Sequence, residues 1–599
     1  MEMEAHITAG YRAATGTYSS RHPPLTAATA ASFPDYLFPR LLAFPPSRPA
    51  FVDASTGATL SFADLRTRSL KAAAALSALG LRRGHVALLL APNSLHFPVV
   101  SLAVLSLGAV LSTANPLLKP DELADQARHS EPFLVLTTAE LAPKLISSPT
   151  TASRAVVLID QLLARGGIDG DREALACAPS SPGIAIGRDD PALLFYSSGT
   201  TGRSKGVVNT HGNVIAAASF LQRVWRRDGD GDGDADVYGC VLPMFHMFGF
   251  SAFVLGTPAM GRTAVLVPGR FSVDALMAAM EEHRVTRLLA VPPVVVQMAK
   301  VVAGGEASST PTRRLCLREV VSSGAPLQRE HMERFRSCFP RVILAQCYGL
   351  TETTGIVTMS DLPPWSHDYD DGVEFSNEPP PLSISIGRLV PSTEARIVDV
   401  ESGEALPPGR TGELWIRGPS VMRGYLRRED ATAAALVSLA SDAADGGGGG
   451  GRWLRTGDLC YVDSGGLLHV VDRIKELIKY KAYQVAPAEL EDVLAAHPGI
   501  HDVAVAPYPD EEAGEIPVAC VVRKPAGSDH LQAQDVLSFV QSKVAPYKKV
   551  RKVVFVDCIP RSPSGKILRA QLKSFLRTCV VTHGGAELQS TTTCVIVSS

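Results

Sequence analysis

One block of twelve residues has the composition of a phosphate site: Phe195-Tyr196-Ser197-Ser198-Gly199-Thr200-Thr201-Gly202-Arg203-Ser204-Lys205-Gly206. It continues the apolar run Ala192–Tyr196, which reads as a strand. Glycines let the backbone come close to a ligand, and consecutive N–H groups in such a loop form an anion-binding concavity. The hydroxyls of Ser197, Ser198, Thr200, Thr201 and Ser204 and the Lys205 ammonium surround that concavity. It is not a Walker A loop, because G-x-x-x-x-G-K-[ST] counted from Gly199 puts Ser204 where the second glycine is required. Three more groups need their context before they mean anything. Taken alone, Asp458 is a surface carboxylate, Lys566 a solvated lysine in the turn Pro563–Lys566, and His246 a core histidine among apolar neighbours. Their order along the chain changes those readings.

That order resembles the signature set of adenylate-forming enzymes, the group holding acyl-CoA synthetases, firefly luciferase and peptide-synthetase adenylation domains. After Ser197–Gly206 come Pro243-Met244-Phe245-His246-Met247-Phe248-Gly249 and Gln346-Cys347-Tyr348-Gly349-Leu350-Thr351-Glu352. Gly412–Gly418 (GELWIRG), Thr456-Gly457-Asp458, Asp472–Lys481 (DRIKELIKYK) and Pro563-Ser564-Gly565-Lys566 follow. The set spans roughly residues 35–577 and looks most like plant 4-coumarate–CoA ligases and their ligase-like relatives.

A carboxylate resists nucleophiles because it is charged and has no good leaving group. Transfer to the α-phosphate of ATP supplies one. The resemblance therefore implies an ATP-dependent acid–CoA ligase working in two steps. Acyl-AMP and pyrophosphate form first, then acyl-CoA and AMP, with a phenylpropanoid or related small hydrophobic carboxylic acid as substrate. It implies that Ser197, Ser198, Gly199, Thr200, Thr201 and Lys205 hold phosphates. Mg2+ would bridge those phosphates, with Glu352 and Thr200 as its protein contributors. Gln346, Tyr348, Thr351, Asp458, Arg473, Lys475 and Lys479 would contact ATP or AMP. Within that group Tyr348 would stack on adenine, and Asp458 would accept the ribose hydroxyls, as acids do in dinucleotide sites. Phe248, Ala325 and Cys347 would face the acyl group; Arg270, Lys481 and Ala482 would face CoA. Lys566 would bridge the carboxylate and the α-phosphate, where charge builds up, and His246 would gate the acyl site.

Four departures from the family pattern bear on activity. Ala482 replaces a glycine, Cys347 replaces a pocket glycine, and Ser323-Gly324-Ala325-Pro326-Leu327 is one alanine short. Trp415 stands where authentic 4-coumarate ligases carry a Cys-containing box, which points to a ligase-like paralogue. A nucleotide- or acyl-binding paralogue impaired in CoA transfer is the alternative reading. A peptide-synthetase adenylation domain is weaker, because 599 residues leave no room for a condensation domain.

The elements that must position these groups read as α/β. Runs such as Val86–Leu90, Leu134–Leu136, Ala155–Ile159, Thr263–Val267 and Leu288–Val291 alternate with helical stretches such as Leu65–Leu79 and Asp274–His283. We expect an N-terminal extension (1–34), then a large adenylation domain (35–471) of parallel sheets flanked by helices with a β-barrel-like subdomain. A small mobile α+β domain (472–577) and a tail (578–599) follow. Because Lys566 and Lys205 fall in different units, the units must close on each other around a hinge near Asp472-Arg473. The EF-hand-like run from Asp228 fails as a calcium loop, since Gly239 occupies the position of the bidentate Glu. The glycine run Gly446–Gly451 reads as a flexible loop.

Composition excludes other classes. With 58 Lys+Arg against 60 Asp+Glu, the formal charge of -2 gives no global attraction to nucleic acid. Ten cysteines without a CxxC pair fit a reducing compartment. The uncharged stretch Pro98–Leu118 is long enough for a membrane span, but its serines, threonine, asparagine and prolines favour a buried internal helix covering a sheet. A monomer in the cytoplasm is expected. Peroxisomal targeting is the alternative, against which stands a C-terminus ending Val597-Ser598-Ser599 rather than Ser-Lys-Leu.

Overall fold

The computed structural model describes residues 10–26, 28–146, 154–165, 185–197, 205–225, 236–269, 271–304, 315–360, 385–439, 451–480, 483–510, 513–524, 531–544, 546–562 and 565–581. Thus Ser198–Ser204, Arg270, Lys481 and Ala482, the Asp228–Gly233 run, Gly446–Gly450 and most of the tail lie outside the described residues.

Among the described residues the body contains three sheets. The first has the strand order 424–425, 205–210, 191–197, 110–114, 86–90, 134–137, 155–158. Its inner strands run parallel, and the 205–210 strand returns antiparallel on 191–197. The VALLL strand 86–90 is apolar at every position because helices cover both faces of a parallel sheet. The second sheet runs 388–389, 355–359, 343–350, 319–322, 287–290, 237–240, 263–266, 49–53, 59–61, with a parallel centre and antiparallel edges. The third is antiparallel throughout, an open sheet standing where a β-barrel-like subdomain is expected. The N-terminal hairpin Tyr11–Arg12/Thr17–Ser19 joins this third sheet by pairing with Glu394–Val398, and Arg396 Nε donates to Thr17 Oγ1 at 2.9 Å.

Helix Phe62–Ala78 begins where Ser61 caps it. Asp64 N donates to Ser61 Oγ at 3.0 Å, and Asp64 returns the bond to the Ser61 backbone, closing a capping box. Its buried face, including Leu65, Ala72, Ala73 and Leu76, packs on helix His96–Ser106. The uncharged Pro98–Leu118 stretch is therefore not one buried helix as expected: its first half lies in that second helix and its second half is strand Val110–Ala114. Gly108, with φ +63°, makes the turn between them. The segment is apolar because it lies inside the body, and no described helix is long and apolar enough to cross a membrane.

After strand Leu468–Arg473 a smaller α+β unit begins. Strands 483–485, 478–480, 514–523, 500–510 and 552–555 form its sheet, with helices Pro487–Ala495, Ala533–Gln541 and Arg569–Val581. Its junction with the body is tied by Asp472, whose carboxylate accepts from Arg473 N at 2.7 Å and Ala488 N at 3.0 Å. Nearby, Arg569 pairs with Glu476 and, at 2.7 Å, with the buried Glu491.

His211 gives the body a pH signature. It is fully buried, its Nδ1 accepts Phe33 N at 3.2 Å, and burial lowers its pKa to about 4. Between that value and the ordinary ~6.5 of an unfolded histidine, the unfolded chain binds more protons, so stability rises with pH through this window. Thermal unfolding midpoints should therefore climb from pH 4 to 6.5. A His211→Asn variant, which cannot titrate, should show a shallower climb; an unchanged slope would assign the effect elsewhere.

Candidate active site

In parallel α/β sheets ligands bind beyond the carboxyl ends of the strands. The sequence candidates gather there. Ser197 ends one strand, Pro243–His246 follow strand 237–240, Ser323–Ala325 follow strand 319–322, and Gln346–Tyr348 lie in strand 343–350. The phosphate-type loop is the tip of a hairpin: Ser197 pairs directly with Lys205, so its two ends are held together. Lys205 Nζ lies 4.7 Å from the centroid of the Tyr425 ring.

The Tyr348–Glu352 turn is sharply bent. Thr354 adopts φ +54° and Gly355 φ +118°, and a Cβ on Gly349 would stand 2.0 Å from the Gly355 carbonyl oxygen. Only glycine fits at 349. The turn is held by buried Asn209, whose Nδ2 donates to Thr354 Oγ1 at 2.8 Å and to the Thr351 carbonyl at 3.3 Å. Glu352 Oε1 accepts from Tyr425 Oη at 3.0 Å.

Asp458 is aimed by a bulge. The register between strands 412–417 and 453–462 slips between Glu413 and Trp415, and Gly457 sits there with φ +71°. Bulges turn a side chain out of its expected direction. Glu413 fixes this one, accepting from Gly457 N at 3.2 Å, Trp415 Nε1 at 2.9 Å and Arg455 Nε at 3.0 Å. The unusual Trp415 thus supports the loop carrying Asp458. The Asp458 carboxylate, 2% exposed, accepts from Tyr348 Oη at 2.5 Å and pairs with Arg473 Nε at 3.1 Å. Burial first, then the Asp458 charge, pushes the Tyr348 phenol up, so it keeps the proton it donates. A carboxylate has about four acceptor positions, so two remain for a ligand's hydroxyls.

Lys566 reaches this group from the small unit. Ser562 N donates to the Lys566 carbonyl at 2.8 Å, and Lys566 N to Ser562 Oγ at 3.1 Å, shaping a tight loop. Gly565 in that loop has φ +83°, and a Cβ there would lie 2.7 Å from Pro293 Cδ of the body. The two units therefore touch at the base of the lysine. Desolvation lowers the Lys566 pKa, with Arg473 adding to it, while Asp458, Glu352 and Glu476 oppose the shift. His246 caps the short helix Met247–Gly249 with its side chain exposed, and desolvation by the surrounding protein, followed by the Lys566 charge, lowers its pKa to about 4. The ring is neutral at physiological pH and can sit beside an anionic ligand without adding charge.

Other candidates are less convergent. Gln346 is buried, and its Nε2 donates to the Ser385 carbonyl at 3.3 Å. Cys347 is buried in the main hydrophobic cluster, its thiol pushed up to about 12 by burial. Phe248 is half-buried against the same cluster, Ala325 is half-buried after strand 319–322, and Thr351 opens the short helix carrying Glu352. Lys475 is exposed in the short helix Ile474–Glu476, and Lys479 lies in strand 478–480. Sequence reasoning passed over Tyr425, Asn209 and the role of Glu413. Glu413 stood within a quoted motif, whereas nothing local marks Tyr425 or Asn209.

The fold brings Asp458, Arg473 and Glu352 of the body within electrostatic reach of Lys566 of the second unit. Residues 39–426 match the AMP-binding enzyme family and residues 489–566 the AMP-binding enzyme C-terminal domain, and the chain belongs to this family. It is 63% identical to a "Putative 4-coumarate--CoA ligase-like 8" of Oryza sativa subsp. japonica, over 97% of this chain and 99% of that one. It is 43% identical to "Peroxisomal OPC-8:0-CoA ligase 1" of Arabidopsis thaliana, over 88% and 90% of the two chains. Among solved structures, ATP-bound MatB from Rhodopseudomonas palustris superposes with a TM-score of 0.74 at 27% identity, covering 90% of this chain and 99% of that one.

Proposed function

We propose that this acid–CoA ligase family member activates a small hydrophobic carboxylic acid as its acyl-AMP and transfers the acyl group to CoA. The observation that carries the proposal is that the Lys566 loop of the small unit, with Gly565 against Pro293, meets a body that holds the Asp458–Arg473 pair, both charged groups acting on Lys566. This supports a reading in which one cation serves both the α-phosphate and the acid's carboxylate. Asp458 holds the ribose, and Lys205 with the hairpin tip holds the outer phosphates. Glu352 is the described carboxylate suited to Mg2+, which is commonly held by one or two carboxylates plus substrate phosphates. Bound there, Mg2+ neutralises phosphate charge. Lys566 steadies the charge that builds as a carboxylate oxygen attacks the α-phosphorus and pyrophosphate leaves. Neutral His246 lets the acid's anion approach without holding it as a fixed ion pair. The CoA thiol then attacks the acyl carbon, and AMP departs.

A panel of phenylpropanoid, cyclopentanone-type and medium-chain fatty acids, assayed for pyrophosphate release with and without CoA, tests this reading. Acid-dependent release, with a CoA ester formed only when CoA is present, is expected. ATP binding with no acid-dependent pyrophosphate from any member would contradict it.

A further inference from the structure

The segment 422–426 links two groups that are remote in sequence. Met422 N donates to the Glu352 carbonyl at 2.8 Å, Arg423 N to the Val208 carbonyl at 2.9 Å, and Leu426 N to the Gly206 carbonyl at 2.8 Å. Tyr425 itself pairs in register with Val207, two residues beyond Lys205, and its N–H is held by Thr432 Oγ1 at 2.9 Å. Its backbone is therefore fixed against both the strand that carries Lys205 and the turn that carries Glu352. The side chain then uses two different properties. The hydroxyl donates to Glu352 Oε1 at 3.0 Å, and the ring presents its face to Lys205 Nζ at 4.7 Å.

We propose that Tyr425 is a positioning residue for the Mg2+·ATP site, its hydroxyl orienting the Glu352 carboxylate and its ring restraining Lys205. The proposal rests on the reading of Glu352 as a metal contact and Lys205 as a phosphate contact. A ligating carboxylate works best when a neighbouring hydrogen bond fixes its orientation, and loss of such a partner typically costs 10–100-fold in metal affinity. Tyr425 takes Oε1 of Glu352, so the cation contact proposed for this carboxylate falls to its second oxygen. The ring restraint is separable, because a cation over an aromatic face is attracted whether or not the ring bears a hydroxyl.

ATP binding to the full chain is titrated over a series of free Mg2+ concentrations and again in EDTA. The proteins compared are wild type, Tyr425→Phe, Tyr425→Leu and Glu352→Gln, with circular dichroism and thermal midpoints recorded for each. Tyr425→Phe should raise the Mg2+ midpoint about 10-fold and leave ATP affinity in EDTA unchanged. Tyr425→Leu should add a weakening of about 2–5-fold in EDTA, the loss expected for one cation–π contact. A Tyr425→Phe midpoint equal to wild type, with Glu352→Gln shifted, overturns the proposal and leaves the site reading standing. Equal weakening by Tyr425→Phe with and without Mg2+ marks a merely structural role and also overturns it. If Glu352→Gln leaves the midpoint unmoved, Glu352 is not a metal contact, and the proposal falls with that reading.

Discussion

Lys566→Ala should lower acid-dependent pyrophosphate release by about 100-fold or more, while the KM for ATP changes only a few-fold. The magnitude follows from removing one preorganised donor from developing charge, which typically costs 10²–10³ in kcat. The split between kcat and KM follows from where the lysine sits. It comes from the small unit through a loop whose Gly565 abuts Pro293, and its electrostatic partners are Asp458, Glu352 and Arg473. It does not share the Lys205 hairpin. Phosphate binding therefore survives its loss, and charge stabilisation during attack does not. Single-turnover pyrophosphate release with the small unit intact measures the effect; wild-type turnover in the variant would remove Lys566 from the chemistry.

Asp458→Ala should be nearly as damaging, but in binding. The substitution leaves the Arg473 guanidinium without its carboxylate and the Tyr348 hydroxyl without its acceptor. Truncating one partner of a hydrogen-bonded charge pair costs about 2–5 kcal/mol when the pair is buried. Because Arg473 is 31% exposed, water recovers part of that, and the stability loss belongs at the lower end. The ATP dissociation constant should rise about 100-fold, the equivalent of roughly 3 kcal/mol. Asp458→Asn should fall between, since an amide oxygen can still accept from Tyr348 while the charge facing Arg473 is gone. Isothermal titration of ATP against the three proteins checks the order; equal affinities for wild type and Asp458→Ala would exclude Asp458 from the nucleotide site.

Much of this was legible along the chain, for identifiable reasons. The VALLL strand 86–90 was readable because a strand covered on both faces must be apolar throughout. The motif residues were readable because their spacing is carried within single turns, as with Gly349, which close approach of the Gly355 carbonyl forces to be glycine. Contacts across large sequence separations left no local trace. Tyr425 meets Glu352 and Lys205 only through strand pairing, and Glu413 fixes Asp458 only through a slipped register. The uncharged Pro98–Leu118 stretch carried a signal for burial but none for its division into helix and strand, which Gly108 decides through its φ of +63°. The hairpin at residues 11–19 was unreadable as part of the body, because its partner strand lies near residue 395.

The central claim is that activation proceeds through an acyl-AMP, and isotope transfer tests it directly. An acid identified in the panel is supplied with both carboxylate oxygens labelled with oxygen-18, together with ATP, Mg2+ and CoA. Attack of a carboxylate oxygen on the α-phosphorus, followed by thiol attack at the acyl carbon, leaves that oxygen on the phosphate of AMP. Mass spectrometry should therefore find one label in each AMP, none in pyrophosphate, and one retained in the thioester carbonyl. Label in inorganic phosphate, with ADP as the nucleotide product, would mean activation as an acyl phosphate and would contradict the account.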